Sequence, residues 1–269
     1  MAIIKGKHLK GTIGPVVVKQ RGTQSIISST PRHMAQTGAT KKSAALYGQV
    51  ISPLSMKLRK AFSQVSNFYD GTMVNRMNAE IATIIHQHRN DNDSFTFFSD
   101  SFNRLIGFEF NQDSQVRNHL LISPTVAITP TTISIDLRGF LVRQNLKFPK
   151  GADTCEINFQ LVFVGLSEGK YLRNNTETIV VPQSQAWNDP VSFTYPLPQG
   201  VICLLSVGLC YMGKVLGRPT CLNEKTFNPV AILGAYYQSG EFNPLDIKGW
   251  KKLWVQLAIE DEPLVAARQ

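Results

Sequence analysis

The hydrophobic period of this chain changes once, near residue 92, and that change restricts it to folds that join helices to an antiparallel β-domain. From Thr40 onward, Tyr47, Val50, Ile51, Leu54, Leu58, Ala61 and Phe62 recur at three- and four-residue steps, the spacing of one helix face. Thr40 suits a helix start. Ser52 and Pro53 suit N-cap and first-turn positions, so the stretch is a kinked helix or two helices meeting there. A second stripe begins near Asp70 and runs through Met73, Val74, Met77, Ile81, Ile84, Ile85 and His88. The two stripes predict a helical hairpin turning at Asn67 to Gly71 and burying its apolar faces together.

Asn90 to Ser94 ends the helical part. Phe95, Phe97, Phe98, Phe102, Phe108 and Phe110 then crowd a segment of partial alternation, which predicts strands or a loop bridging over the core. From about Leu120 the pattern is β throughout. Candidate strands are 131–137, 140–146, 154–166, 171–182, 191–195, 201–216, 230–238 and 253–259, with turn signals at Pro149-Lys150-Gly151, Glu168-Gly169 and Pro198-Gln199-Gly200. Short strands at this spacing predict an immunoglobulin-like sandwich, with a jelly roll or barrel as the alternative.

The expected fold is therefore α+β: an amino-terminal β-arm and helical hairpin followed by an antiparallel immunoglobulin-like β-sandwich. The expected divisions are a basic β-arm (1–35), the helical hairpin (36–92), a Phe-rich connecting segment (93–124) and the sandwich domain (125–269).

Charge divides the chain differently. No acidic side chain precedes Asp70, while Lys5, Lys7, Lys10, Lys19, Arg21, Arg32, Lys41, Lys42, Lys57, Arg59 and Lys60 do. The remaining 17 of the 28 Lys and Arg face all 19 Asp and Glu, so the net +9 is a +11 leading segment on a nearly neutral body. A concentrated field of this sign points to a polyanionic or acidic partner. With 43% hydrophobic and 17% charged residues the chain is not a disordered one.

Within the arm, Ile13 to Lys19 and Gln24 to Ser28 read as two strands around a Gln20-Arg21-Gly22-Thr23 turn. A two-stranded ribbon is marginal in water. It needs its own body, a neighbouring subunit or a nucleic acid to lie on. Val16, Val17, Val18, Ile26 and Ile27 would supply docked apolar side chains, with Arg21 at the turn tip.

The Gly- and Val-rich arm with Gln20-Arg21-Gly22, the following Ser29-Thr30-Pro31-Arg32 and the Thr40-Lys41-Lys42-Ser43 helix start resemble a family found in Bacteroidota. The Ser-Glu-Gly-Lys turn at 167–170 and the strand ending in Pro196-Leu197-Pro198 are similar as well. The resemblance implies a Gly-rich amino-terminal hairpin, a helical segment and an immunoglobulin-like carboxyl-terminal domain. It implies no catalytic residues, cofactor or activity.

Catalytic motifs fail on spacing. Gly165-Leu166-Ser167-Glu168-Gly169 has the form of a nucleophile elbow, but the next segment reads as a strand and no His follows His119. Gly6 to Gly11 has phosphate-loop spacing without the Lys that should follow the second Gly. His86 and His88 stand two apart on a helix and point in different directions, a poor metal pair. Cys155, Cys203, Cys210 and Cys221 form no C-x-x-C pair and read as buried free thiols, with Cys203 and Cys210 facing opposite sides. No enzyme, cofactor or metal is expected.

No apolar run reaches the roughly 18 residues of a membrane span, and Val16-Val17-Val18 is too short for a secretory core. Cytoplasmic synthesis without a signal peptide is expected, with the chain staying there or leaving by lysis or a dedicated machine, as in a particle or filament released from the cell. The partner expected first is a second copy of the chain: a β-prone basic arm and a low-charge, Phe-rich body favour head-to-tail docking into a ring or filament. The alternative is sequence-independent binding of nucleic acid, or of an acidic protein surface, by the arm.

Overall fold

A computed structural model describes residues 2–5, 8–21, 24–30, 37–215 and 217–260, and the chain divides into two compact units, residues 1–44 and 45–269. The first unit holds an antiparallel meander of four strands in sequential order: β1 (Ala2–Lys5), β2 (His8–Ile13), β3 (Val16–Arg21) and β4 (Gln24–Ser29). The two-strand expectation is thus corrected. The Gly and Lys residues before Ile13 had masked β1 and β2, and the turn before β3 is at Gly14-Pro15, with Thr30 N–H returning to the Pro15 carbonyl at 2.6 Å. Four strands remove the marginality of a lone ribbon.

Helix α1 (Gly38–Leu46), in which the boundary between the units falls, is followed by a π turn at Tyr47–Ile51 and by α2 (Ser52–Ala61). Ser52 is itself helical, with φ −65° and ψ −43°, and donates to the Tyr47 carbonyl five residues back. The widened turn stands where the Pro53 ring would press on the preceding carbonyls. Ser52 is therefore not the cap expected from sequence. After a 3₁₀ turn at Phe62–Gln64 comes α3 (Met73–Gln87), which buries Met73, Met77, Ile81, Ile84 and Ile85. His88 sits half-buried against Phe97 and Phe98.

The Phe-rich segment is irregular, a bridging loop rather than strands. Phe95, Phe97, Phe102, Phe108 and Phe110 are buried, while Phe98 is exposed. Its backbone joins the sheet by isolated hydrogen bonds, such as Phe110 N–H to the Val230 carbonyl at 2.9 Å.

The body's strands follow: β5 (Thr125–Ile128), β6 (Thr132–Leu137), β7 (Phe140–Leu141), β8 (Ala152–Gly165), β9 (Lys170–Arg173), β10 (Glu177–Pro182), β11 (Trp187–Asn188), β12 (Val191–Pro196), β13 (Gln199–Val215), β14 (Arg218–Cys221), β15 (Val230–Asn243) and β16 (Lys251–Lys252). A one-turn helix, α4 (Val142–Asn145), follows β7, so the predicted 140–146 strand is corrected after two residues. The predicted 171–182 strand is two strands. Residues 253–259 bury Leu253, Val255 and Leu257 alternately but make no ladder. Their N–H groups go to single carbonyls of Gly169 and Leu166, so the right alternation arises without a sheet neighbour.

β8 and β13, of 14 and 17 residues, run antiparallel through the middle of a seven-stranded sheet. β9 and β10 share the outer edge of β8, β14 and β15 share that of β13, and β16 pairs with β9. A second sheet has the order β12-β6-β5.

The central strands are buried on both faces. Val162 and Val164 with Ile202 and Leu204 belong to a core shared with α2, α3 and the Phe-rich loop. Phe159, Leu161 and Phe163 with Cys203, Leu205 and Val207 belong to another, shared with Ile133, Ile135 and Leu137 of β6. The body is thus three layers: helices, central sheet, small sheet. At Gly208 the first two approach closely, since a Cβ there would lie 2.8 Å from the Val65 carbonyl oxygen. The whole is a mostly antiparallel β protein with a helical segment, an α+β fold in which the seven- and three-stranded sheets of the body pack like a sandwich. No helix among the described residues is long and apolar enough to cross a membrane.

Candidate assembly interface

The register of the amino-terminal meander sorts its residues. Val18 pairs with Gly11 on one side and Ile27 on the other, and Val16 pairs with Ile13 and Ser29. Alternation along each strand adds Leu9, so Leu9, Ile13, Val16, Val18 and Ile27 share one apolar face. Val17, paired with Thr12 and Ser28, falls on the other face with Lys10, Lys19 and Ile26. Positions 5 and 21 have the register parity of Lys10 and Lys19. One face is apolar; the other, basic one carries Val17 and Ile26 as well, and Ile3, which pairs with Lys10 and is 69% exposed.

The five apolar residues expected to dock together therefore divide: Val16, Val18 and Ile27 on the apolar face, Val17 and Ile26 on the basic one. Val18 is buried, whereas Ile13 is 49% and Ile27 69% exposed. β4 is an edge strand whose six residues are all exposed, and Gln-Ser-Ile-Ile-Ser-Ser carries neither charge nor proline to block pairing with another chain.

The basic residues do not form one group. Lys5 and Arg21 lie at the ends of β1 and β3, Arg21 opposite Gln24 as the last paired residue of its strand rather than a turn tip. Lys7 and Arg32 lie outside the described residues. Lys41 and Lys42 are exposed on α1. Lys57, Arg59 and Lys60 belong to the body on α2, and two of them have local partners. Arg59 donates to the Ser55 hydroxyl at 3.4 Å, and Lys57 Nζ lies 5.8 Å from the centre of the Trp254 ring.

That ring is a feature sequence reasoning missed. Trp254 is 69% exposed, holds a positive φ of 68° and has Lys252 Nζ at 4.6 Å from its ring centre. Its signal was the Lys251-Lys252-Leu253-Trp254 run, whose last two residues open the candidate strand 253–259.

A second missed feature is a cleft lined by Arg76, Glu80, Arg104, Glu109 and Arg117. Burial pushes the Glu109 carboxyl up to about 7, against hydrogen bonds from the Val116 and Arg117 N–H groups and the charges of Arg117 and Arg76. The other carboxylate is occupied, since Glu80 pairs with Arg104 at 3.0 Å.

The remaining motifs resolve locally. Ser167 of the G-x-S-x-G run lies in the hairpin turn between β8 and β9, and residues 8–11 of the phosphate-loop spacing lie in strand β2. No group of three His, Cys, Asp or Glu suited to a metal occurs among the described residues. Cys155 and Cys203 are buried, but the expectation of burial is corrected for Cys210, which is half-buried, and Cys221, which is exposed.

No protein-family model, curated protein or solved structure matches this chain.

Proposed function

We propose that the chain is a non-enzymatic structural protein that assembles with copies of itself, as a filament, shell or particle component, through its amino-terminal sheet. The observation that carries this reading is a small sheet with Ile13 and Ile27 exposed on its apolar face and an unshielded edge at β4. Such an edge adds a strand readily, and an apolar face beside it supplies the side-chain contacts that make the added strand stay. β5, the exposed Thr-Val-Ala-Ile edge of the small sheet, is an acceptor of matching character in the body. We read the two body sheets as an immunoglobulin-like sandwich, whose open edges suit this use.

Size-exclusion chromatography with light scattering and negative-stain microscopy test the reading on the full chain, on a chain lacking residues 1–30 and on the Ile13→Lys/Ile27→Lys variant. The full chain is expected to form a concentration-dependent oligomer that both alterations abolish. A full chain that stays monomeric at high concentration overturns it.

Sequence-independent nucleic-acid binding is the second reading, favoured by Lys10 and Lys19 on one face. Affinity for duplex DNA would then fall steeply with salt, and Lys10→Glu/Lys19→Glu would remove most of it while leaving assembly intact.

A further inference from the structure

Cys210 and Cys221 are brought together at one end of the central sheet. Met212 pairs with Cys221 across the β13–β14 ladder, and Cys210 stands two residues from Met212 on the same strand. All three side chains therefore lie on one face. The two thiols hydrogen-bond Sγ to Sγ at 3.1 Å, with the Met212 sulfur 3.9 Å from Cys210. Glu156 and Thr154 oppose Cys210 and Met212 from β8, so the surroundings are polar and half-open rather than core.

We propose that Cys210 and Cys221 are a reversible disulfide site that takes low-molecular-weight disulfides of the glutathione type as its oxidant and staples β14 to β13. The distance separates this from a metal site. Two thiolates on one tetrahedral zinc stand about 3.8 Å apart, whereas these sulfurs are already closer and need about 1 Å more to reach bonding distance. The strand that must move is free to do so: β14 has four residues, lies at the sheet edge, and carries Pro219 opposite Lys214.

The chemistry balances as two exchanges. The Cys221 thiolate attacks one sulfur of the small disulfide, its S–S bond breaks, and the first small thiolate leaves. The Cys210 thiolate then attacks Cys221 Sγ, the mixed bond breaks, and the second small thiolate leaves. Two protein thiols lose two electrons to one small disulfide, and their protons end on the two small thiols released. The order follows from exposure: Cys221 is open to solvent, while burial, the neighbouring Cys221 thiol and the Glu156 charge push the Cys210 thiol up to about 12.

The test incubates the native chain with oxidised glutathione, blocks remaining thiols and maps non-reduced peptides; trypsin cleavage after Lys214 separates the two cysteines. The expected product has lost two hydrogens, carries no glutathione, joins the peptides on either side of Lys214, and leaves Cys155 and Cys203 blocked as free thiols. Its thermal midpoint rises by about 5–10 °C, the shift for closing a loop of this size in a domain of this length. Cys210→Ser is expected to retain one glutathione on Cys221, and Cys221→Ser to take up little. Persistent glutathione on Cys221 in the unaltered chain overturns the proposal, as does linkage to Cys155 or Cys203, linkage between two chains, or no reaction. The peptide map of the unaltered chain decides the matter even where a variant folds poorly.

Discussion

Asp70, the first acid of the chain, should behave as the clamp on the start of α3, and Asp70→Asn tests it. Its Oδ1 accepts the Thr72 N–H at 2.7 Å and the Thr72 hydroxyl at 2.8 Å. Oδ2 accepts the Gln112 N–H at 3.1 Å and the Arg76 guanidinium. Burial alone would raise this carboxyl; the hydrogen bonds from Thr72, Gln112 and Arg76 outweigh it and hold it at about 2, against an ordinary 3.8. An asparagine still accepts through Oδ1 but turns an NH₂ toward the Gln112 and Arg76 donors.

At 1.36 kcal/mol per unit the depression corresponds to about 2.4 kcal/mol. Solvent reaching the Arg76 side of the pair reduces this to about 1–2 kcal/mol. A native value below the unfolded one means stability that is present above about pH 4 and lost as pH falls toward 2. Urea unfolding of both chains between pH 7 and pH 2 should show Asp70→Asn less stable by that amount near neutrality, with the gap closing in the acid range. A gap that is unchanged across the series, or below about 0.5 kcal/mol at pH 7, refutes the clamp.

Two further outcomes follow from the body. Glu109 has the opposite sign: its value of about 7 lies above the ordinary 4.5, so the ionised form costs stability above pH 7 and the cost disappears as pH falls toward 4.5. Glu109→Gln should therefore be more stable than the unaltered chain at pH 8, by about 1–2 kcal/mol after allowing for screening, and no more stable than it at pH 4.5; scanning calorimetry at both values decides. Gly208→Ala places a methyl 2.8 Å from the Val65 carbonyl oxygen and 3.1 Å from Val65 Cβ. Because the obstacle is backbone, it should cost about 1–3 kcal/mol; a urea midpoint equal to that of the unaltered chain would show that the helical layer can retreat.

Periodicity carried as far as the neighbours were regular. The α3 stripe and strands β6, β8, β12 and β13 were legible because each has a continuous apolar face against a continuous partner. The 253–259 segment had the alternation without the partner, so its pattern misled. β5 and β14 were invisible for the converse reason: Thr125 to Ile128 and Arg218 to Cys221 are edge strands with little to bury. Residues 140–146 are apolar enough for a strand, but at Val142 the chain turns into helix. In the arm, composition showed β-propensity and charge, yet only the register shows that Val17 and Ile26 share a face with Lys10 and Lys19. The contact of Cys210 with Cys221 needed the hairpin between them, which a strand predicted to run to residue 216 leaves unplaced.

The two-faced burial of β8 and β13 has a consequence for how the chain is made. The apolar stripes of α2 and α3 emerge from the ribosome first, yet Val162, Val164, Ile202 and Leu204 of the core they share follow them by 75 residues or more. Local helices form within microseconds, but synthesis at about 5–20 residues per second delays their partners by seconds. During that interval the stripes stand open to water and to other chains. The helical layer thus waits uncovered for longer than its own helices take to form, and mutations in β13 should lower yield during synthesis before they lower the stability of chains already folded.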